Sequence, residues 1–115
     1  MLDVYIGDRL MADEVTWNGQ TGSYKYWIYP WPFNFSIDEP RNHIFCKMVN
    51  DVWQPIYIGE TGDRSKRFDG HHAMECIKSN GATHIHAHSS SDHDWTRRLE
   101  EADLINAHDP PCNKQ

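Results

Sequence analysis

His43-Ile44-Phe45-Cys46-Lys47-Met48-Val49-Asn50-Asp51-Val52-Trp53-Gln54-Pro55-Ile56-Tyr57-Ile58-Gly59 is the stretch whose reading decides the fold. Residues 43–48 and 55–59 are short apolar runs of strand character. Residues 49–53 between them carry turn formers at their centre. The two runs therefore pair as a hairpin, and symmetry about Asp51 sets Phe45 directly opposite Tyr57.

Working outward towards the C-terminus, Glu60-Thr61-Gly62-Asp63 reads as a turn. A helix then begins near Ser65 and runs towards Lys78, closed by Asn80-Gly81, residues suited to a left-handed stop. Residues 83–88 alternate at period two, with His84, His86 and His88 on one face and Ile85 and Ala87 on the other, as a strand requires. Ser91 or Asp92 can cap a last helix in which Trp95, Leu99, Ala102 and Ile105 recur at helical spacing, and Pro110-Pro111 forbids its continuation. Towards the N-terminus, residues 24–29 read as one more strand, broken by Pro30 and Pro32. Residues 1–22 are polar and hold a turn region at Gly19 and Gly22. The expected architecture is a small α/β or α+β domain: a three-stranded central sheet flanked by helices, with extra N-terminal strands.

The chain has 115 residues, enough for one domain with a real core and too few for two. Residues 1–42 are expected to be an extension with added strands, and residues 43–113 the core. No apolar run is long enough to span a bilayer, and Met1-Leu2-Asp3-Val4 lacks the features of a signal peptide. Cys46, Cys76 and Cys112 are odd in number and contain no Cys-x-x-Cys pair, which points to free thiols and a cytoplasmic setting. A formal net charge of −6 works against general affinity for nucleic acid, most of which comes from Lys and Arg on phosphates. The cations are clustered, however, at Arg64, Lys66 and Arg67 and at Arg97 and Arg98, so a basic cleft on an acidic body is compatible with that total.

Tyr57-Ile58-Gly59 is followed ten residues after the Tyr by Arg67 and four later by His71. The last helix then carries Glu101-Ala102-Asp103-Leu104-Ile105, with Pro110 and Asn113 beyond it. In these spaced elements, taken in this order, the chain resembles the GIY-YIG endonucleases over about seventy residues. Two positions depart from that pattern. The first half-motif is His43-Ile44-Phe45, so the ring is kept without its hydroxyl and His43 stands where the family has Gly; and Glu60 stands where some relatives have Lys. The resemblance implies a metal-dependent endonuclease with Tyr57, Arg67, His71, Glu101 and Asn113 as its catalytic set. It further implies Glu101 as the ligand of Mg2+ or Mn2+, and DNA as a substrate favoured over RNA.

The residue chemistry fits that assignment. Phosphodiester hydrolysis needs an in-line water and stabilised charge on the non-bridging oxygens. Glu101 supplies a hard oxygen ligand of the kind Mg2+ takes, and Arg67 a planar fork matched to phosphate. Tyr57 can accept the proton of the attacking water if a nearby cation lowers a phenol ordinarily near pKa 10. His71, one helical turn from Arg67, can relay a proton. Arg64, Lys66, Arg97 and Phe45 are expected to contact the substrate. Two other classes compete. One is a catalytically silent nucleic-acid-binding module on the same fold, which Phe45 and the acidic total charge favour. The other is a metal-binding protein built on the histidine stripe, though His84 to His88 spans about 13 Å, too far for three imidazoles to meet one ion.

Overall fold

A computed structural model of the protein describes residues 13–32, 41–61, 71–89 and 93–114. The hairpin forms from β3 (Arg41–Val49) and β4 (Val52–Thr61), both longer than their apolar centres alone suggest. Only Asn50 and Asp51 turn the chain, at φ 52° and 66°, a left-handed pair that suits Asn and Asp and matches the twist of a tight hairpin. A two-residue turn pairs Val49 with Val52 and, continued, would set Phe45 opposite Ile56. A register shift between Phe45 and Cys46 makes Ile56 an extra residue on β4, and Phe45 lies opposite Tyr57 after all.

The three-stranded sheet flanked by helices is not what the chain forms. One antiparallel sheet of five strands runs β1-β2-β5-β3-β4, with β1 (Glu14–Asn18), β2 (Ser23–Pro30) and β5 (His84–Ser89). Two α-helices, α1 (His71–Ser79) and α2 (Asp94–His108), complete the described residues with a 3₁₀ turn at Pro111–Asn113. The reason lies in β5. Its outer edge accepts β2 from Trp27↔Ala87 to Pro30↔His84, so the N-terminal hairpin extends the sheet rather than decorating it. Trp17 of β1 and Tyr26 of β2 gain burial on the face that α2 covers, which rewards the extension.

The two faces carry separate cores. On one, Trp17, Tyr26, Ile44, Cys46 and Ile58 pack with Leu104 of α2. On the other, Phe45, Ile56 and Ile85 pack with Ala73 and Ile77 of α1 and with Cys112. The helix ends follow local chemistry. Gly81, at φ 79°, stops α1 with Ala82 N–H on the Ile77 carbonyl, as Asn80-Gly81 predicts. His93 is the N-cap of α2, and it makes no side-chain capping bond, while Ser91 and Asp92 lie outside the described residues. Asp109, left-handed at φ 50°, ends α2 before Pro110.

The expected apolar stripe of α2 turns inward only at Ile105, which packs on the Leu104 core. Trp95 and Leu99 are exposed, and the side turned to the sheet carries Arg97, Glu100, Glu101 and Leu104. Spacing alone cannot orient such a helix, because its inward face is polar and answers polar groups on the sheet.

The cysteines also differ from expectation. Cys76 and Cys112 form a disulfide across 36 residues, tying α1 to the C-terminal turn, and only Cys46 is a free thiol, buried in the core. Closing a loop of that length contributes about 3–4 kcal/mol in the chain-entropy account. Cys76→Ala/Cys112→Ala is therefore expected to lose about that much stability in urea, and the wild type to lose the same on reduction. Equal midpoints for oxidised, reduced and double-mutant protein would remove the bond from the account.

Candidate active site

β4 is an edge strand of the described sheet, and it carries Tyr57 and Gly59 and is met by Asn113. Tyr57 faces α1, its ring stacked at 6.3 Å and 27° on His43 and tilted at 6.4 Å from Phe45. Gly59 lies opposite His43 in the ladder, and a Cβ there would come within 2.7 Å of the His43 Nε2. The imidazole thus fills the space that a glycine leaves across the strand pair. His43 is fully buried, and burial, reinforced by the charge of Arg41, pushes its pKa down to about 3, so it stays neutral.

Ile58 points to the α2 face, but its backbone faces out from the sheet edge. Asn113 meets it with both amide groups: Ile58 N–H donates to Oδ1 at 2.8 Å and Nδ2 donates to the Ile58 carbonyl at 2.8 Å. An exposed edge would otherwise offer these groups to another strand. The neighbouring Cys112 fixes the turn to α1 through the disulfide.

Glu60, two residues beyond Ile58, shares its face and approaches α2. Arg97, 1 % exposed, donates from Nε to Glu60 Oε1 at 2.8 Å and pairs with Asp94 one turn earlier, while Asn42 Nδ2 donates to the Arg97 carbonyl at 3.0 Å. Arg98 stands further out, 3.9 Å from Glu60 and 4.0 Å from Asp94. Glu101 completes the group. Its carboxyl is pushed up to about 7, first by burial and then by the charge of Glu60, with Arg98 opposing. Two carboxylates thus share a partly buried site at the end of the Tyr57-Ile58-Gly59 strand, and one of them holds a proton near neutrality.

The structure brings Glu101, Asn113 and Tyr57 to the same strand, but not to the same face. Tyr57 lies with the α1 cluster, and Glu101 stands on the α2 side with Glu60. Arg97 and Phe45, expected at the substrate, are both in the interior; Arg97 is held by carboxylates and Phe45 is fully buried. The amide of Asn113, expected in the catalytic set, is spent on the backbone of Ile58. Arg64, Lys66 and Arg67 lie outside the described residues, as does the side chain of His71, the first residue of α1. Glu60 is the residue that sequence reasoning undervalued. Its signal was period two: it must share the face of Ile58, and so the side on which α2 packs.

The histidine stripe faces α2, and each ring has its own setting. His84 Nδ1 lies 2.8 Å from the Thr83 hydroxyl, and His86 Nδ1 accepts from Trp17 Nε1–H at 2.9 Å. His88 Nε2 meets Glu100 at 2.7 Å, and the same carboxylate oxygen accepts from the Tyr26 hydroxyl at 2.6 Å. Burial acts to lower the His88 pKa, but the hydrogen bond and charge of Glu100 outweigh it and raise it. Burial drives the His86 pKa down to about 3, with the charge of His84 adding to it.

No family model, curated protein or solved structure matches the chain.

A carboxyl whose pKa is raised in the folded state contributes stability below its ordinary range, and that contribution is lost as pH rises through about 7. Ionised Glu101 therefore strains the fold at alkaline pH. Glu101→Gln, similar in shape but uncharged, is expected to match the wild type at pH 5. At pH 8.5 it should be more stable by about 1–2 kcal/mol, a figure discounted for partial exposure. Thermal melts at the two pH values measure this; a variant less stable than wild type at pH 8.5 contradicts it.

Proposed function

We propose that the protein is a metal-dependent phosphodiester hydrolase of the GIY-YIG kind that cuts nucleic acid, with DNA favoured over RNA. One observation carries this: Glu101 of the closing helix lies, partly buried, within the field of Glu60 at the end of the Tyr57-Ile58-Gly59 strand, and the two carboxylates repel. Such an arrangement destabilises an empty protein and suits one that binds a cation there. The attachment of Asn113 to Ile58 supports the same reading, since it joins the last motif element to the strand.

The residues fit the implied metal. Among the described residues no group of three or more His, Cys, Asp or Glu converges, but Mg2+ needs only one or two carboxylates, with waters and substrate phosphate completing its shell. Glu101 and Glu60 would hold it, and it would supply Lewis-acid stabilisation of the phosphate oxygens. Glu101 must be ionised to serve, so activity at limiting Mg2+ should rise with pH through about 7, and at saturating Mg2+ the rise should shift to lower pH.

In the hydrolysis, water oxygen bonds to phosphorus, the P–O bond to the leaving sugar oxygen breaks, and that oxygen takes up a proton. Tyr57, whose ring lies beside His43 and Phe45 on the α1 face, would have to accept the proton of the attacking water around the edge of β4, since Glu60 and Glu101 stand on the other face. Arg67 would bind the phosphate. A cytoplasmic setting loses its support, because the thiols on which it rested include the Cys76–Cys112 bond. Among the described residues no helix is long and apolar enough to cross a membrane.

Incubation with single-stranded and duplex DNA and RNA, with Mg2+, Mn2+ or EDTA, tests the function. Metal-dependent cutting is expected. It should disappear in Glu101→Gln and fall by about 10²–10⁴ in Tyr57→Phe, the range for losing a general base. Phe45→Tyr should stay within a few-fold of wild type. Binding without cutting under every condition would favour the silent module that the missing Phe45 hydroxyl and the net charge of −6 suggest.

A further inference from the structure

The face of α2 turned away from the sheet holds a feature the hydrolytic site does not use. Trp95 is 64 % exposed and Leu99, one turn later, is 61 % exposed. With Asp94 and Arg98 they line an open groove of about 580 Å3. His93 lies beside the indole, rings 6.4 Å apart and 28° from parallel. Trp95 and Leu99 thus form a contiguous apolar patch on an otherwise charged helix face.

We propose that Trp95 is a stacking platform for an unpaired base of a nucleic-acid strand, with Arg98 taking the adjoining phosphate. This rests on the hydrolase reading and names how its substrate is held. Three observations select this occupant. First, the groove adjoins the carboxylate pair: Arg98 bridges the two, 3.9 Å from Glu60 and 4.0 Å from the groove's Asp94. A strand whose phosphate reached Glu101 would run past Trp95. Second, the polar lining suits a nucleotide. Arg98 is largely exposed, its two ion pairs lie at the outer limit of contact, and its planar fork can turn to a phosphate. The charge of Asp94 is answered from the other side by Arg97. Third, the patch is small. Trp95 and Leu99 together expose at most a few hundred Å2, against about 800 Å2 per partner in a stable protein interface. One indole is enough for a base, because every base has a stacking face.

The test is fluorescence anisotropy in EDTA with a labelled thymidine dodecamer and the matching duplex. Trp95→Ala should weaken single-strand binding by about 5- to 100-fold, the range for losing one stacked base. Trp95→Phe should retain most of the affinity, and duplex binding should change little, since a paired base cannot lie on the ring. At this exposure neither substitution should alter the circular dichroism. Wild-type affinity in Trp95→Ala, or an equal loss for duplex and single strand, overturns the platform. So does concentration-dependent self-association that Trp95→Ala abolishes, since the patch would then be a contact between copies. If metal-dependent cutting that requires Glu101 persists alongside any of these, the platform alone fails. If wild type binds no nucleic acid, both proposals fail.

Discussion

A guanidinium at 1 % exposure has to be answered by carboxylates, and Arg97 is answered by Glu60 and Asp94. Removing one partner of a buried pair leaves an uncompensated charge, at a cost of about 3–5 kcal/mol. The rest of the α2 interface is arranged around this requirement. Asn42 of β3 donates to the Arg97 carbonyl, Leu104 drops into the core two turns later, and Trp95 and Leu99 are left in solvent. The buried arginine thus does two things. It fixes the rotation of the helix, and it holds Glu60 where Glu101 must share its field.

The edge of the sheet is managed from the same end of the chain. Asn113 satisfies both backbone groups of Ile58, and Cys112 beside it is bonded to Cys76 of α1. A short C-terminal turn is thereby made rigid, and the strand bearing Tyr57 and Gly59 with it. Stability concentrated around β4 can offset the like-charge pair placed next to it, the usual balance where a site works against its own fold. In the proposed hydrolase, Asn113 is a positioning residue that acts through the strand.

Much of this was legible in the sequence, and the failures have physical causes. The hairpin was readable because turn formers sit between two apolar runs, yet its register survived only through a bulge at Ile56 that no pattern announces. Period two disclosed β5 and its histidine face. It could not disclose that the far edge of β5 receives β2, because strand pairing depends on which edges are open. The orientation of α2 was misread because apolar spacing normally marks the buried side, and here Arg97, Glu100 and Glu101 take it. The disulfide was hidden by an odd cysteine count, although Cys76 and Cys112 become neighbours once the C-terminal turn packs on α1. Of the candidate site, the sequence marks Tyr57 and Glu101, which the fold sets on opposite faces of β4. The site's second carboxylate was not legible, since Glu60 reads as a turn residue until the strand is seen to run through Thr61.

The central claim is that Glu60 and Glu101 form a strained pair that a divalent cation relieves. Carboxyl carbon NMR of Glu101 across pH 4 to 9, with and without Mg2+, tests it directly. The account predicts a midpoint near 7 in the absence of metal. Saturating Mg2+ should move that midpoint down towards the ordinary carboxylate range, as binding favours the ionised form. A midpoint already in that range without metal, or one near 7 that Mg2+ leaves unmoved, would contradict it.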